Sequence, residues 1–486
     1  MMNIAFEQNP LQIPEIRARV SRFVSLKDAI SCACVSKAWS KDFTWKIWYA
    51  VDFKIHNTLG GLDGDILIKH GHHIRKMDNI RTLSDLNAVV RPTINNIHFL
   101  KITCTTSARY RSLCMELIYN NNKTLRALTL DMDANSKKWD SSHRLISVDA
   151  LVPCSSASQL VRISLHGVCF GRDSFARLLR NCPLLTCVDL QQDVALFSGP
   201  SIDAFQHKGV VTLLAPIKQV FKPDPESEPS SLGFSLLSHF PNLTDWHCYN
   251  LPSALFVPTE RIKTEVTTCC PQLSMIDTWK SPQSIIYSLV ADTFSDLEHI
   301  SFAYSQLSLS IIVALLFHKA TLIQISAFRD NNQSDTETDE VLSEDDHFRA
   351  SGRAVQLLPR SCPQLQLFRF ECHEMDMDIV EEETWDCRGL QEIRVRIRGL
   401  DTKEKIDSTM RLWTEGRRNK NSHILLEKNE PQQHTEIEGV VGKCVTPNEF
   451  HVDETKDTTV EARVARHLLA FEELHTVWLG TRSFHV

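Results

Sequence analysis

The 486-residue chain is too long for one ordinary compact core, so we expect several domains or one elongated array of repeats. Its net charge of -7 excludes a general basic surface for nucleic acid or for an anionic membrane. The longest wholly apolar stretch, residues 311–317, is far shorter than the roughly 20 residues that span a bilayer, and the N-terminus has no signal-peptide pattern. We therefore expect an intracellular protein, in the cytoplasm, the nucleus or both.

The first fifty residues predict a small helical module. Apolar residues recur at helical spacing from Ile16 to Val24 and, after a break, from Ile30 to Cys34. Three tryptophans, Trp39, Trp45 and Trp48, follow within ten residues of one another. A module of this size buries little surface by itself, so its apolar residues must pack on the rest of the chain or be covered by a partner.

This module resembles an F-box, whose pattern is L-P-x-E-I, an apolar helix, a D-L/I step, V-S/C-K-x-W and a closing tryptophan. The matching stretches are IPEI at residues 13–16, FVSLKDAI at 23–30, CVSKAW at 34–39, and Trp48. Arg17 departs from the pattern, because the family has an apolar residue there. Trp45 matches neither tryptophan position of the pattern, so we expect it to reach the first repeat instead.

The resemblance implies that the module docks on the adaptor Skp1 and, through it, on a cullin and a RING protein. The residues that match the adaptor-facing positions of the motif are Pro10, Leu11, Ile13, Pro14, Ile16, Val20, Val35, Trp39 and Trp48. The alternative is that these residues form only the core of the module itself.

A six-residue phrase, Leu-x-x-apolar-x-apolar, recurs along most of the remaining chain. Clear copies start at Leu125, Leu160, Leu185, Leu243, Leu297, Leu365, Leu390 and Leu474, and weaker copies start at Ile97, Val210, Leu273 and Leu322. Several successive starts are 24 or 25 residues apart, which is the period of a leucine-rich repeat. Chance leucine spacing in a helical protein is the alternative.

Each repeat is predicted to be a helix, a turn and a short strand. In the segment DSFARLLRNCP, Phe175, Leu178 and Leu179 share one helical face, and a proline marks the turn that follows. In the phrase LRALTL, alternation sends Leu128 and Leu130 to the side that stacks on neighbouring repeats. Stacked repeats bury faces that a single repeat leaves open, so we expect an α/β solenoid with a curved parallel sheet and helices on its outer face.

We therefore predict an F-box at residues 1–50, a linker or cap at 51–90 and an irregular leucine-rich-repeat solenoid at 91–486. Unequal gaps between phrases predict insertions near residues 221–231, 329–350 and 417–459, the last between helices near 403–415 and 460–471. The second insertion has eight acidic residues between positions 330 and 346 and no lysine or arginine there, which is typical of a solvated loop.

Arginines alternate with apolar residues in the segment IRVRIRG. Alternation places Ile393, Val395 and Ile397 inward and Arg394, Arg396 and Arg398 outward, and the preceding repeat contributes Arg369 to the same surface. Trp478 occupies an outward position of the last strand. We predict that Arg369, Arg394, Arg396, Arg398 and Trp478 bind an acidic or phosphorylated segment of a target protein. A solvated face, or pairing with the acidic loop at 330–346, is the alternative.

Motifs of catalysis or of metal binding are missing from the sequence. It contains no GxGxxG, GxxxxGK[ST], HExxH or GxSxG pattern, so we expect neither an enzyme nor a bound cofactor or metal. HGHH at residues 70–73 has no cysteine or carboxylate at ligand spacing and is interpreted as a polar loop. The fifteen cysteines lack paired CxxC spacing, so we expect reduced, mostly buried thiols.

An F-box followed by leucine-rich repeats resembles the substrate receptors of SCF-type ubiquitin ligases. The resemblance implies a non-catalytic subunit that docks on Skp1 and holds a protein target on its repeats, with no nucleic-acid or membrane partner. The alternative is a binding scaffold of the same fold that does not lead to cullin-linked ubiquitination.

Overall fold

The computed structural model describes most of the chain outside the predicted insertions. The described residues are 10–54, 64–91, 93–105, 107–132, 159–166, 169–190, 195–197, 205–215, 236–248, 259–278, 286–287, 289–328, 352–428, 459–479 and 482–485. The insertions predicted near 221–231 and 329–350 lie outside these ranges, as do residues 429–458 of the third. The chain divides into two units, Met1–Leu273 and Ser274–Val486.

Three helices form the N-terminal module, as predicted from the apolar spacing. They are α1 (Pro14–Phe23), α2 (Leu26–Ala33) and α3 (Lys37–Trp48). Pro14 stands in the first turn of α1, where its missing amide costs no hydrogen bond. The Ser25 and Ser36 side chains cap α2 and α3 by accepting a hydrogen bond from the backbone amide of the third residue of each helix.

The rest of the first unit alternates strands with helices. Its strands are β1 (Ala50–Asp52), β2 (Lys76–Ile80), β3 (Phe99–Cys104), β4 (Ala127–Met132), β5 (Arg162–His166), β6 (Cys169–Gly171), β7 (Cys187–Asp189), β8 (Ala195–Phe197), β9 (Thr212–Leu214) and β10 (Asp245–His247). Its further helices are α4 (Gly64–His70), α5 (Leu83–Val89), α6 (Ala108–Asn120), α7 (Arg172–Asn181) and α8 (Thr259–Cys269). The main sheet runs in chain order and is parallel throughout, whereas β6 and β8 pair only with each other.

The second unit repeats this plan. Its strands are β11 (Met275–Thr278), β12 (His299–Ala303), β13 (Gln324–Phe328), β14 (Leu367–Met375), β15 (Glu392–Ile397), β16 (Thr476–Leu479) and β17 (Arg482–His485). Its helices are α9 (Leu309–Leu316), α10 (Gly352–Ser361), α11 (Met377–Glu382), α12 (Lys403–Lys428) and α13 (Val460–Leu469). Strands β11 to β16 pair in parallel and in chain order, and β17 closes the edge antiparallel to β16.

Every predicted phrase coincides with a strand. Each of the twelve starts, from Ile97 to Leu474, is buried, and a strand begins two residues after it. The fourth position of each phrase is also buried, so these two residues of every repeat contribute to the core. Burial of one such side chain contributes about 1.5–3 kcal/mol. The α/β class and the parallel arrangement of repeats are therefore confirmed.

The sheet begins earlier than the sequence analysis placed it. Strand β1 lies at the start of the segment predicted as a linker or cap, and β2 lies within it. As in the other repeats, each strand begins two residues after the first residue of a phrase, which is Trp48 for β1 and Ile74 for β2. The first phrase is hidden because it starts with tryptophan. The second is interrupted by Asn79, whose φ of 60° accompanies a shift of register between β2 and β3.

A recurrent turn joins each helix to its strand. The amide of Leu185 donates to the Cys182 carbonyl, and the same bond links Leu365 to Cys362 at 3.1 Å. The residue that supplies the carbonyl is buried at both turns. This position explains part of the high cysteine content, because a thiol is small enough for the turn and tolerates burial. The eleven cysteines whose state is described are all free thiols.

Helix α12 is longer than predicted. It continues to Lys428, into the segment assigned to an insertion beginning near residue 417. Gly416 allows this continuation beside α13, because a Cβ atom there would lie 2.6 Å from Leu469 Cδ1. Arg417 donates hydrogen bonds to the Leu474 and Glu472 carbonyls, which anchors α12 to the turn before β16.

Asn121 connects two neighbouring repeats through a buried amide. Its Oδ1 accepts from the Ile97 amide at 2.9 Å, and its Nδ2 donates to the carbonyls of Ile94 and Leu117. We predict that Asn121→Ala lowers the free energy of unfolding by about 3 kcal/mol, because it leaves these buried groups without partners. Urea unfolding of the whole chain measures this. The neighbouring control Asn122→Ala should change it by less than about 0.5 kcal/mol, and an equal effect of both variants would contradict the assignment.

Candidate functional site

Polar contacts hold the N-terminal module together. Arg17 is 6% exposed, and its guanidinium donates to the Asp42 carboxylate at 2.5 Å and to the Leu11 carbonyl at 3.0 Å. The departure from the F-box pattern at Arg17 is thus an inward-facing ion pair between α1 and α3. Phe43 and Ala29 are the buried apolar residues of these three helices. Such a small core leaves most of the apolar side chains of the module at its surface.

The three tryptophans of α3 have different roles. Trp45 Nε1 donates to the buried Ser21 hydroxyl at 3.1 Å, so Trp45 joins α3 to α1. Its ring also packs edge-to-face on Tyr49, which precedes β1, with ring centroids 6.2 Å apart. Trp48 starts the first phrase and stacks on His70 with ring centroids 5.0 Å apart. Trp39 stacks on Phe43 at 5.4 Å within α3.

The predicted adaptor-facing residues differ in exposure. Leu11 is 41% exposed and Val35 is 66% exposed, and Pro14 is also exposed. The half-buried members of the set are Ile13, Ile16, Val20, Trp39 and Trp48. The Pro10 side chain lies outside the described residues.

Sequence reasoning missed other exposed apolar residues at the corner between α1 and α2. Phe23 is 87% exposed, and Leu26 and Ile30 are about half exposed. The helical pattern placed Phe23 on the same face as Ile16 and Val20, but Phe23 ends α1, so its side chain extends past the last packed turn. Leu26 and Ile30 stand one turn apart and share one face of α2. An apolar surface of this kind is typical of a protein interface.

The arginine segment of the second unit forms the predicted strand. Ile393, Val395 and Ile397 are buried in β15, whereas Arg396 and Arg398 are exposed and Arg394 is half-buried. The register of β14 and β15 places Arg369 directly beside Arg394. A bulge in β14 between Phe370 and Glu374 shifts the pairing, so that Glu374 is opposite Arg396.

Carboxylates on or just after these strands pair with three of the four arginines. Arg369 donates two hydrogen bonds to the Glu392 carboxylate, at 2.8 and 2.9 Å, and Arg394 contacts both Glu392 and Glu371. Arg398 pairs with Glu374 and with Asp376. Burial alone would raise the pKa of Glu392, but the hydrogen bonds from its two arginines hold this pKa below its usual value.

This cluster differs from the cationic patch that the sequence suggested. Four arginines stand beside four carboxylates, at Glu371, Glu374, Asp376 and Glu392, so their charges balance. None of these carboxylates belongs to the acidic loop at 330–346, which lies outside the described residues. Trp478 stands beside Arg394 in the register, and the Arg394 guanidinium stacks 4.2 Å from its ring centre. The surface is therefore ordered and close to neutral.

The first unit carries a comparable charge network on β4, β5 and β7. His166 Nδ1 lies 2.5 Å from the Asp131 carboxylate, and its Nε2 lies 3.5 Å from Asp189. Lys101 pairs with Asp131, and Arg162 pairs with Asp189. Burial alone would lower the pKa of His166, but the two carboxylates raise it to about 9. His166 is therefore a charged imidazolium at neutral pH.

No group of three metal-binding side chains is assembled within the described ranges. HGHH ends α4 and continues in a 3-10 turn, where the rings of His72 and His73 are 3.8 Å apart. Asp376 caps α11 by accepting a hydrogen bond from the Asp378 amide at 3.0 Å. None of the helices in the part of the chain that the structure covers has the length and apolar character to cross a bilayer.

Comparisons with known proteins identify no family. No protein-family model and no curated protein matches the chain. One similar solved structure is the leucine-rich repeat-containing protein LegL7 from Legionella pneumophila, with 11% identity, a TM-score of 0.29, and coverage of 73% of this chain and 87% of that chain. Another is the Rad7 and Elc1 complex in yeast, with 12% identity, a TM-score of 0.35, and coverage of 82% and 94%. Similarity this low supports no inference about this chain.

The His166 network predicts a pH-dependent stability. A histidine whose pKa is raised on folding stabilises the folded state fully below its unfolded pKa, near 6.5, and loses that effect as pH rises through about 9. We expect the difference in unfolding free energy between the wild type and His166→Gln to fall by roughly 2 kcal/mol from pH 7 to pH 10. Urea unfolding across this range measures it. A flat difference for His166→Gln across this range would contradict the network.

Proposed function

We propose that this protein is the substrate-recognition subunit of an SCF-type ubiquitin ligase. In this proposal its N-terminal helices dock on Skp1, and its repeats hold a protein target. The observation that carries the proposal is the apolar surface of the N-terminal module, where Leu11, Phe23, Leu26, Ile30 and Val35 are all more than 40% exposed. The sequence of this module resembles an F-box at several ordered positions, and it folds into three helices, two of which are capped by serine side chains.

The small core of the module supports a docking role. Its helices are fixed by the Arg17–Asp42 ion pair and by the Trp45–Ser21 hydrogen bond, which leaves large apolar side chains at the surface. A folded helical surface of this kind binds a partner at a low entropic cost, because it is ordered before the encounter. Trp48 links the module to the first strand, so a partner on the module is held close to the repeats.

The function in this proposal is non-catalytic. The protein forms no bond itself but raises the local concentration of its target near a conjugating enzyme that the cullin and the RING protein bring. The repeats suit this role, since their strands present ordered polar rows, such as Arg369, Arg394 and Trp478 in the second unit. A target segment bound on β14–β16 would complement a balanced set of charges and the Trp478 indole, so it would not be purely anionic.

Exposed positions of the module provide the test. We predict that the purified protein binds purified Skp1 and retains a cullin through it, and that Pro14→Ala combined with Val35→Asp weakens Skp1 binding at least about tenfold. Both positions are exposed, so circular dichroism and thermal unfolding should remain unchanged. Leu309→Asp is the matched control, because Leu309 is 53% exposed on α9 in the second unit.

Calorimetry with Skp1, followed by a pull-down with the cullin, separates the outcomes. No Skp1 binding by the wild type would refute the docking role. Skp1 binding without retention of the cullin would favour the non-ubiquitinating scaffold. Equal loss of binding in the double variant and in Leu309→Asp would show that the apolar surface of the module is not the docking site.

A further inference from the structure

A row of basic residues, two arginines and a histidine between them, precedes three neighbouring strands of the first unit. The amides of His98 and Phe99 both donate to the Arg75 carbonyl, and the amides of Arg126 and Ala127 both donate to the His98 carbonyl. Arg75, His98 and Arg126 therefore occupy the same position in successive repeats, just before β2, β3 and β4. We call these three residues the cationic rim. Strands are spaced about 4.8 Å apart, so the rim is roughly 10 Å long.

The cationic rim lacks the carboxylates that balance the arginines of the second unit. Across the described residues, no carboxylate lies within ion-pair distance of the Arg75 or Arg126 side chain. Arg75 is half-buried, and its guanidinium is fixed by hydrogen bonds to the carbonyls of His72 and Ile74. Arg126 is exposed. Within the described part of the chain, the rim thus has fixed positive charge and no carboxylate paired with it.

The histidines at the rim are surrounded by positive groups. Burial lowers the pKa of His98, and the charges of Arg75 and Arg126 lower it further. The pKa of His73 is lowered in the same way by burial, by His72 and His70 and by Arg75. These imidazoles are neutral at physiological pH, and each can gain a proton when an anion arrives.

We propose that the cationic rim binds a phosphate group carried by an extended segment of another protein. The phosphate lies over His98, where Arg75 and Arg126 approach it from the two neighbouring repeats. Guanidinium groups donate paired hydrogen bonds to phosphate oxygens, and an imidazole between them donates through its N–H and adds a positive charge once it is protonated. Tyr49 occupies the equivalent position one repeat before Arg75, and Phe99 follows His98 in the chain. Their exposed rings offer apolar contacts to the residues that flank the phosphorylated residue of the bound segment.

The size of the rim favours a protein segment over a nucleic acid or a membrane. Two permanent charges within roughly 10 Å suit one phosphate group, whereas a nucleic-acid backbone needs a longer run of cations. The chain carries a net charge of -7, so it provides no wider positive field for a polyanion or for an anionic lipid surface. Val161 occupies the equivalent position in the repeat after Arg126, so the row of basic residues ends at Arg126.

This inference is independent of the docking role proposed for the N-terminal helices. The rim is formed by the repeats themselves, so phosphopeptide binding is expected from the purified chain without Skp1. Loss of Skp1 binding and loss of phosphopeptide binding are therefore separate results, obtained with different variants.

The test uses a fluorescent heptapeptide with one central phosphoserine between two phenylalanines, and its unphosphorylated twin. Fluorescence anisotropy with the whole chain should show binding of the phosphopeptide only. Arg126→Gln should weaken it about tenfold, since it removes a charged hydrogen-bond donor from an exposed position that has no side-chain hydrogen bond or ion pair among the described residues. Arg109→Gln, an exposed arginine on α6, is the matched control and should leave the affinity unchanged.

Histidine NMR provides a second measurement that a structural effect alone would not change. The apparent pKa of His98 should rise when the phosphopeptide is added and should not rise with the unphosphorylated twin. Equal binding of both peptides, equal loss in Arg126→Gln and Arg109→Gln, or an unchanged His98 titration would overturn the proposal. So would displacement of the phosphopeptide by a short single-stranded RNA at a lower concentration than by unlabelled phosphopeptide.

Discussion

The structure of each unit depends on one hydrogen-bonding arrangement that recurs from repeat to repeat. Two successive amides at the start of a strand donate to a single carbonyl in the preceding repeat, as Thr186 and Cys187 do to Val161. The turn before this pair of amides is closed by a hydrogen bond to the carbonyl of a buried residue. This arrangement fixes the register of the next strand, so that the first and fourth positions of every phrase enter the core together. Without it, the short strands would have no fixed alignment.

The fixed register also determines the chemistry of the strand surface. Because equivalent positions of successive repeats stand side by side, a charge in one strand meets the side chain of the next at close range. Around Glu392 and around His166 this proximity places each cation beside a carboxylate. At the cationic rim the same proximity gathers Arg75 and Arg126 without a paired carboxylate among the described residues. This lack of a paired carboxylate, and not the presence of charge alone, is why the rim is proposed as the site for an anion.

Much of the fold could be predicted from the sequence, because its signal is a repeated local pattern. The twelve phrases located twelve strands, whereas Trp48 and Ile74 escaped notice since one phrase lacks an aliphatic start and the other is broken at Asn79. The sites were harder to predict. Alternation gave the correct side for Arg394 and Arg396, but the partners Glu371 and Glu392 depend on register and on a bulge in β14 that no local pattern indicates. The exposure of Phe23 likewise depends on where α1 ends.

The thiols report most directly on whether the turns and strands pack as described. Cys270, Cys362 and Cys387 are buried before their strands, and burial raises the pKa of each to about 12, whereas Cys34 in the N-terminal module is exposed. Native-state labelling with a thiol reagent at pH 8, mapped by mass spectrometry, measures their accessibility. We predict that Cys34 reacts at once and that the other three react only when the chain unfolds. Rapid labelling of all three in the native protein would contradict the repeat packing on which the account depends.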